Sequence, residues 1–281
     1  MKVGFIGAGK VGNTLGKYFE QNNIELTGYF DTDISAAKEA SDFTMSVVYT
    51  SLEELVKLSD IIFITTTDNA IQYVWEDIKE LAIEGKIICH CSGALSSDIF
   101  KGIGKKGAFG YSVHPLFSCS SKTSSYKKLY DALITIEGSR ARLQEVEELF
   151  KSLGNSTRII DSSQKIIYHA AAVFASNQAI ALAGQGIDLL KKCGFTRDEA
   201  IKSILFLMGN AIENIKKQGL EEALTGPVER NDIMTVRKHL QALSEEEKNI
   251  YISLSSKLVK IAKIKNPEKD YIELENLLRG I

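Results

Sequence analysis

Short apolar runs alternate with amphipathic stretches over the first half of the chain, and this rhythm breaks off near residue 163. The runs at 2–6, 25–30, 46–49, 61–65, 86–90, 109–113, 132–136 and 157–160 are short, and most are rich in β-branched or aromatic residues, which predicts strands. Between them the apolar period becomes helical at 10–21, 33–41, 52–57 and 69–81, and Ser51-Leu52-Glu53-Glu54 fits a capping box at the third of these. Strands and helices in alternation predict parallel β-α-β winding. Beyond Asp161 the strand signals stop, and helices are expected at 164–192, 197–217, 232–243 and 245–263. This change of pattern predicts two domains, 1–163 and 164–281.

The turn after the first strand sharpens that picture. Gly7-Ala8-Gly9-Lys10-Val11-Gly12 leaves the strand and opens the first helix, the context in which a G-x-G-x-x-G sequence binds a dinucleotide. Gly7 would permit the tight turn, Gly9 would let backbone approach a pyrophosphate, and Gly12 would allow close helix–strand packing. The helix N-terminus would add partial positive charge. The fold class expected is therefore α/β, a Rossmann-type doubly wound parallel sheet followed by an all-helical C-terminal domain. Asp31 ends the second strand at the spacing of the acid that hydrogen-bonds the adenosine ribose. Asp33 adds a second negative charge, and no Arg or Lys lies between 28 and 37, so NADH is favoured over NADPH. Thr65-Thr66-Thr67 follows the fourth strand, where a loop either closes over the dinucleotide or caps a helix.

Composition removes several other classes. With 44% hydrophobic and 25% charged residues the chain is an ordinary globular one, and Lys+Arg 34 against Asp+Glu 36 gives no global field toward nucleic acid or an anionic membrane. Met1–Ile6 reads as a strand rather than a signal peptide, so a cytoplasmic location is expected. Cys89, Cys91, Cys119 and Cys193 are expected to be reduced thiols. No second pair with ligand spacing accompanies Cys89 and Cys91, which argues against zinc. Tyr168, His169, Ser176, Asn177, Gln178 and Gln185 are expected to interrupt any apolar stretch able to span a bilayer.

Candidate chemistry lies at strand ends and on the long helix. His90-Cys91-Ser92-Gly93 should open toward the cleft, where Ser92 would hydrogen-bond substrate or the cofactor carboxamide. His114-Pro115 ends the next strand and is structural or functional. Lys165 and His169 stand one turn apart and share a helix face, with Ser176 and Asn177 two turns on. Such a stripe faces solvent or lines a cleft. In a cleft, Lys165 or His169 would protonate a carbonyl oxygen as hydride reaches its carbon, and Asn177 would orient the substrate. In Leu224-Thr225-Gly226-Pro227-Val228-Glu229-Arg230, Arg230 is either a carboxylate clamp or a surface ion-pair partner. The Ser/Lys-rich stretch 118–128 is either a lid or a solvated loop.

Taken together, Gly7 to Gly12, His90 to Leu95, His114-Pro115-Leu116, Tyr168 to Asn177 and Leu224-Thr225-Gly226-Pro227 resemble a family of two-domain Rossmann proteins over nearly the whole chain. That family is similar to pyrroline-5-carboxylate reductase and the β-hydroxyacid dehydrogenases, and includes the alternative type of ketopantoate reductase. The resemblance implies reduction of ketopantoate (2-dehydropantoate) to pantoate in pantothenate biosynthesis, with Arg230 for the carboxylate and Lys165 or His169 as donor. It also implies a site residue in the Thr225 loop and a homodimer formed through the helical domain. In β-hydroxyacid dehydrogenases the corresponding lysine is followed four residues later by asparagine; here His169 stands there. Two other readings compete: a cyclic imine reductase, which needs no general acid, and a nicotinamide redox sensor without turnover.

Overall fold

The computed structural model describes all 281 residues. It divides into two compact units, Met1–Ser176 and Asn177–Ile281. The first holds strands β1 (Lys2–Ile6), β2 (Glu25–Phe30), β3 (Val47–Val48), β4 (Ile61–Ile64), β5 (Ile87–His90), β6 (Phe109–Pro115), β7 (Ile134–Gly138) and β8 (Thr157–Ile159). Helices α1 (Lys10–Gln21), α2 (Ile34–Thr44), α3 (Leu52–Leu58), α4 (Asp68–Ile78), α5 (Leu143–Lys151) and α6 (Lys165–Ala175) belong to it as well. The eight strands form one sheet in the order β3-β2-β1-β4-β5-β6-β7-β8. Its N-terminal part is the Rossmann-like doubly wound sheet that the alternation predicts.

One pairing departs from the parallel rule: β6 and β7 run antiparallel, with Val113 opposite Ile136 and His114 opposite Thr135. A parallel crossover needs a covering element, usually a helix. The segment between these strands instead carries a 3-10 turn, Ser125–Asp131, and the chain reverses. That turn buries Leu129 and sets Tyr126 edge-on to Phe43, at 5.8 Å between ring centres, so part of the Ser/Lys-rich stretch is anchored.

Apolar residues fill both faces of the sheet. Phe5, Phe19, Tyr29, Phe63, Tyr111 and Phe150 sit in one cluster, and Ile62, Ile64, Trp75, Ile88 and Phe100 in the other. The second unit has α7 (Asn177–Lys192), α8 (Arg197–Gln218), α9 (Ile233–Ala242), α10 (Glu245–Lys265) and α11 (Ile272–Arg279). Its core gathers Val228, Val236, Val259, Ala262, Tyr271 and Leu274. No strand occurs there, as expected of an all-helical region.

The long helix foreseen over 164–192 is divided. Helix α6 stops at Ala175, Ser176 takes φ −115° and ψ −78°, and α7 begins at Asn177. The Ser176 hydroxyl donates to the Ala172 carbonyl oxygen at 2.7 Å, a back-bond of the kind that bends helices. The compact first unit thus extends through α6, beyond the change of sequence pattern at 163. By length and composition alone Ser162–Lys192 would suffice to cross a membrane, although its polar residues are expected to prevent that.

Candidate functional site

The glycine turn is built as its sequence requires. Gly7 has φ +107°, and its N–H donates to the Phe30 carbonyl at 2.8 Å, tying the turn to the end of β2. A Cβ on Gly12 would lie 2.4 Å from the Gly7 carbonyl oxygen and 2.7 Å from Thr65 Oγ1, so only glycine fits. At Gly9 the nearest atom to an added Cβ is Thr65 O at 3.9 Å. The fold therefore does not need glycine there, and the open space beside the first turn of α1 suits a pyrophosphate held by the unpaired N–H groups of Lys10, Val11 and Gly12.

Asp31 closes this loop from the other side. One carboxylate oxygen accepts from Ala8 N at 2.6 Å and the other from Asp33 N at 2.9 Å. Asp33 caps α2, accepting from Ser35 N and Ala36 N. Thr65 Oγ1 donates to the Gly7 carbonyl at 2.6 Å, which makes Thr65 a brace of the turn. Thr66 and Thr67 lead into α4, and Thr67 occupies its N-cap position without a side-chain cap bond. Buried Asn13 donates to the Ala8 and Gly9 carbonyls at 2.7 and 2.9 Å.

A second feature lies on β5, β6 and β7. His90, Ser112 and Glu137 stand in register across these strands, and His114 faces Thr135 in the neighbouring row. The opposite face of the β6–β7 pair carries Tyr111, Val113, Ile134 and Ile136 into the apolar core. His90, Ser112, Thr135 and Glu137 are buried all the same. A buried polar layer where apolar residues would be cheaper marks a working surface rather than a packing one.

Loop and helix residues complete that layer. Ser92 Oγ donates to Asp68 at 2.9 Å and accepts from Ala94 N and Leu95 N at 3.2 and 3.0 Å. His90 Nδ1 accepts from Ser92 N at 3.2 Å, leaving Nε2 to donate to the Ser96 carbonyl at 3.2 Å. Thr135 Oγ1 donates to the Tyr168 hydroxyl at 2.9 Å, and that hydroxyl meets His114 Nδ1 at 2.7 Å. Thr135 Oγ1 also lies 3.0 Å from the His114 carbonyl oxygen, so the same hydroxyls hold both the ring and the backbone of His114. A Cβ on Gly93 would fall 2.6 Å from His169 Cδ2 and 2.9 Å from His114 Nε2. Gly93, His114 and His169 therefore meet at one point.

Lys165 dominates the electrostatics. It is 1% exposed, and its Nζ has no hydrogen-bond partner. Burial pushes its pKa down to about 8, opposed by the charge of Glu137 and, less strongly, by that of Asp68. Burial and then the Lys165 charge hold His114 at about 4, with His169 and His90 adding to the effect. His90 is likewise lowered to about 4, chiefly by burial, so both imidazoles are neutral at pH 7. Burial raises the Cys91 thiol, which stays protonated.

Ser92, His114, Lys165 and His169 thus come together in the first unit. Asn177, Thr225 and Arg230 belong to the second. There the Thr225–Arg230 segment is fastened by Tyr271, whose hydroxyl donates to the Glu229 carbonyl at 2.7 Å, and by Lys265 on the Leu224 carbonyl at 2.9 Å. Thr225 and Arg230 are exposed on it.

Sequence reasoning missed Asn13, Asp68, Thr135, Glu137 and Tyr168 as site residues. A signal existed for two of them: in Ile134-Thr135-Ile136-Glu137 strict alternation announces a polar face.

Residues 1–115 match a Rossmann-like domain model, and 132–258 match a domain of unknown function (DUF2520). None of the curated proteins is significantly similar in sequence. Among solved structures, a Thermotoga maritima protein is 27% identical at a TM-score of 0.76, covering 94% of this chain and 99% of its own. A Bacteroides fragilis protein proposed to be an NADP oxidoreductase is 21% identical at 0.71, covering 92% and 98%. Plasmodium falciparum pyrroline carboxylate reductase, crystallised with NADP bound, is 19% identical at 0.61, covering 94% and 96%. The chain accordingly shares the fold of these proteins, an N-terminal Rossmann-like domain followed by a helical region.

Proposed function

We propose that the protein is an NAD(P)H-dependent reductase of a small carbonyl compound, with Lys165 as the proton donor to the carbonyl oxygen. The observation that carries this reading is the buried Lys165 amine, without a hydrogen-bond partner, over the Tyr168 ring and set among Glu137, Asp68 and two neutral histidines. An orphaned buried ammonium is costly to the fold, and its use is as a donor that becomes satisfied when substrate oxygen arrives. A bound nicotinamide would supply the hydride, held through Gly7, Ala8, Gly9, Lys10, Val11, Gly12, Asp31 and Thr65–Thr67. His114, fixed by Tyr168, and His169 flank Gly93 and offer hydrogen bonds to substrate.

The substrate proposed is a 2-keto acid, with ketopantoate first because of the sequence resemblance. Arg230, exposed in the second unit, has the bidentate chemistry a carboxylate needs. A second reading, reduction of a cyclic imine, is favoured by the likeness to the Plasmodium enzyme. NADH is the preferred cofactor on this proposal, because the carboxylates of Asp31 and of the helix cap Asp33 would repel a 2′-phosphate.

The test is oxidation of NADH and NADPH with ketopantoate beside pyrroline-5-carboxylate. Ketopantoate turnover with NADH is the expected result, and Asp31→Ser should shift preference toward NADPH. Turnover of the imine alone overturns the carbonyl assignment, and cofactor binding without turnover of either favours the redox sensor.

We further propose a homodimer through the helical region. Ile180 and Leu182 on α7, with Leu205, Phe206 and Leu207 on α8, are large apolar residues left exposed, Phe206 by 71%. Sedimentation equilibrium should give twice the chain mass, and Phe206→Glu should shift the protein toward monomer. A wild-type monomer at micromolar concentration overturns the assignment.

A further inference from the structure

Glu137 carries out no step in the reading above, yet it is the anion that acts most strongly on Lys165. It is 1% exposed. One carboxylate oxygen accepts from Ser97 N at 2.6 Å and the other from Ser97 Oγ at 2.9 Å. Burial raises its pKa, against the opposing pull of those two donors and of Lys165, while Asp98 adds to the rise. Such an acid takes up and releases a proton more readily near neutrality than an ordinary surface carboxylate does.

Its position has two sides. Outward, Glu137 and Ser97 line a cavity of about 470 Å³ whose wall also carries Asp98, Lys101, Asp161 and Ser162. The same carboxylate bears on the Lys165 amine, where Asp68 on α4 acts as well. No ion pair joins Glu137 to Lys165 directly, and a water molecule can bridge separations beyond hydrogen-bond range. Of the two carboxylates that bear on the amine, Glu137 is the one that lines a polar cavity, whereas Asp68 is exposed and accepts from Ser92.

We propose that Glu137 is the proton relay that recharges Lys165 from the Ser97–Asp161 cavity. The inference rests on Lys165 acting as the general acid. When substrate oxygen takes a proton, an Nζ–H bond breaks and an O–H bond forms, leaving a neutral amine. Glu137, having taken a proton from cavity water, passes it through a bridging water to Nζ and returns to carboxylate. One proton enters from solvent for each hydride transferred, so charge and atoms balance.

The test needs neither substrate nor cofactor. In protein carrying ¹⁵Nζ-lysine, with the Lys165 signal assigned by its loss in Lys165→Met, the exchange of the Nζ protons with solvent is followed against pH. Glu137→Gln should slow that exchange at least tenfold. A carboxylate acting only through its charge would do the reverse, because its removal lowers the Lys165 pKa and speeds exchange; unchanged or faster exchange overturns the relay. Ser97→Ala supplies an independent check should Glu137→Gln fail to fold. Loss of the hydroxyl donor raises the Glu137 pKa, so exchange should accelerate, and an unchanged rate there also overturns the proposal. Failure in these measurements leaves the general-acid reading intact, whereas that reading is overturned by full turnover in Lys165→Met.

Discussion

Lys165→Met is expected to lower kcat by roughly 10²–10⁴-fold, the usual contribution of a positioned proton donor, while making the protein more stable. The two effects share one cause. Folding buries an amine that has no hydrogen-bond partner and faces the Tyr168 ring at 5.5 Å, which costs free energy whenever that amine is charged. With a pKa lowered from 10.5 to about 8, the group carries a proton in both folded and unfolded states below pH 8, and the full cost applies there. As pH rises from about 8 toward 10.5 the folded protein releases this proton before the unfolded chain does, so the contribution of this group to stability improves across that window. At pH 7 methionine should therefore stabilise the fold by roughly 3 kcal/mol, an order-of-magnitude figure from the size of the shift. Denaturant titrations of both proteins at pH 7 and pH 10 test it, since the gap should narrow at the higher pH. Lost activity together with lost stability would mean that Lys165 is a structural lysine.

A second contrast separates binding from folding within the glycine turn. Gly12→Ala forces a methyl group against the Gly7 carbonyl and the Thr65 hydroxyl, and should cost about 1–3 kcal/mol of stability. Gly9→Ala meets nothing closer than 3.9 Å, so its melting temperature should stay near that of the wild type. Dinucleotide affinity should nevertheless fall tenfold or more, a loss of about 1.4 kcal/mol or greater, because the methyl occupies the space a pyrophosphate would need. Fluorescence titration with NADH beside thermal melting reads both quantities. Unchanged NADH affinity in Gly9→Ala would remove the turn from the cofactor site.

Local pattern made much of this legible in the chain. Glycine spacing, the Asp31 position and the strand–helix rhythm are each short-range, and each describes what the backbone does in one turn or one element. The strand order could not be read so directly, because the β6–β7 reversal depends on what the intervening segment packs against. The break at Ser176 escaped because the apolar sequence period runs on through it, and a hydroxyl back-bond within one turn leaves no mark on that period. Lys165 and His169 were visible as a helical stripe, whereas their company of Glu137, Asp68 and His114 comes from three separate elements. Tyr168 stood in plain view beside His169, yet its role depends on Thr135, which lies 33 residues away in sequence.

The alternation along β6 and β7 ties chemistry to parity. Ser112, His114, Thr135 and Glu137 turn one way, while Tyr111, Val113, Ile134 and Ile136 turn the other. A single-residue insertion within either strand would exchange the two sets, driving a histidine or a glutamate into the apolar core and presenting isoleucine to the site. Lineages carrying this hairpin can therefore gain or lose residues inside it only in even steps, or by a bulge that absorbs the odd one. Indels should accumulate instead in the segment between the strands, where length carries no such arithmetic.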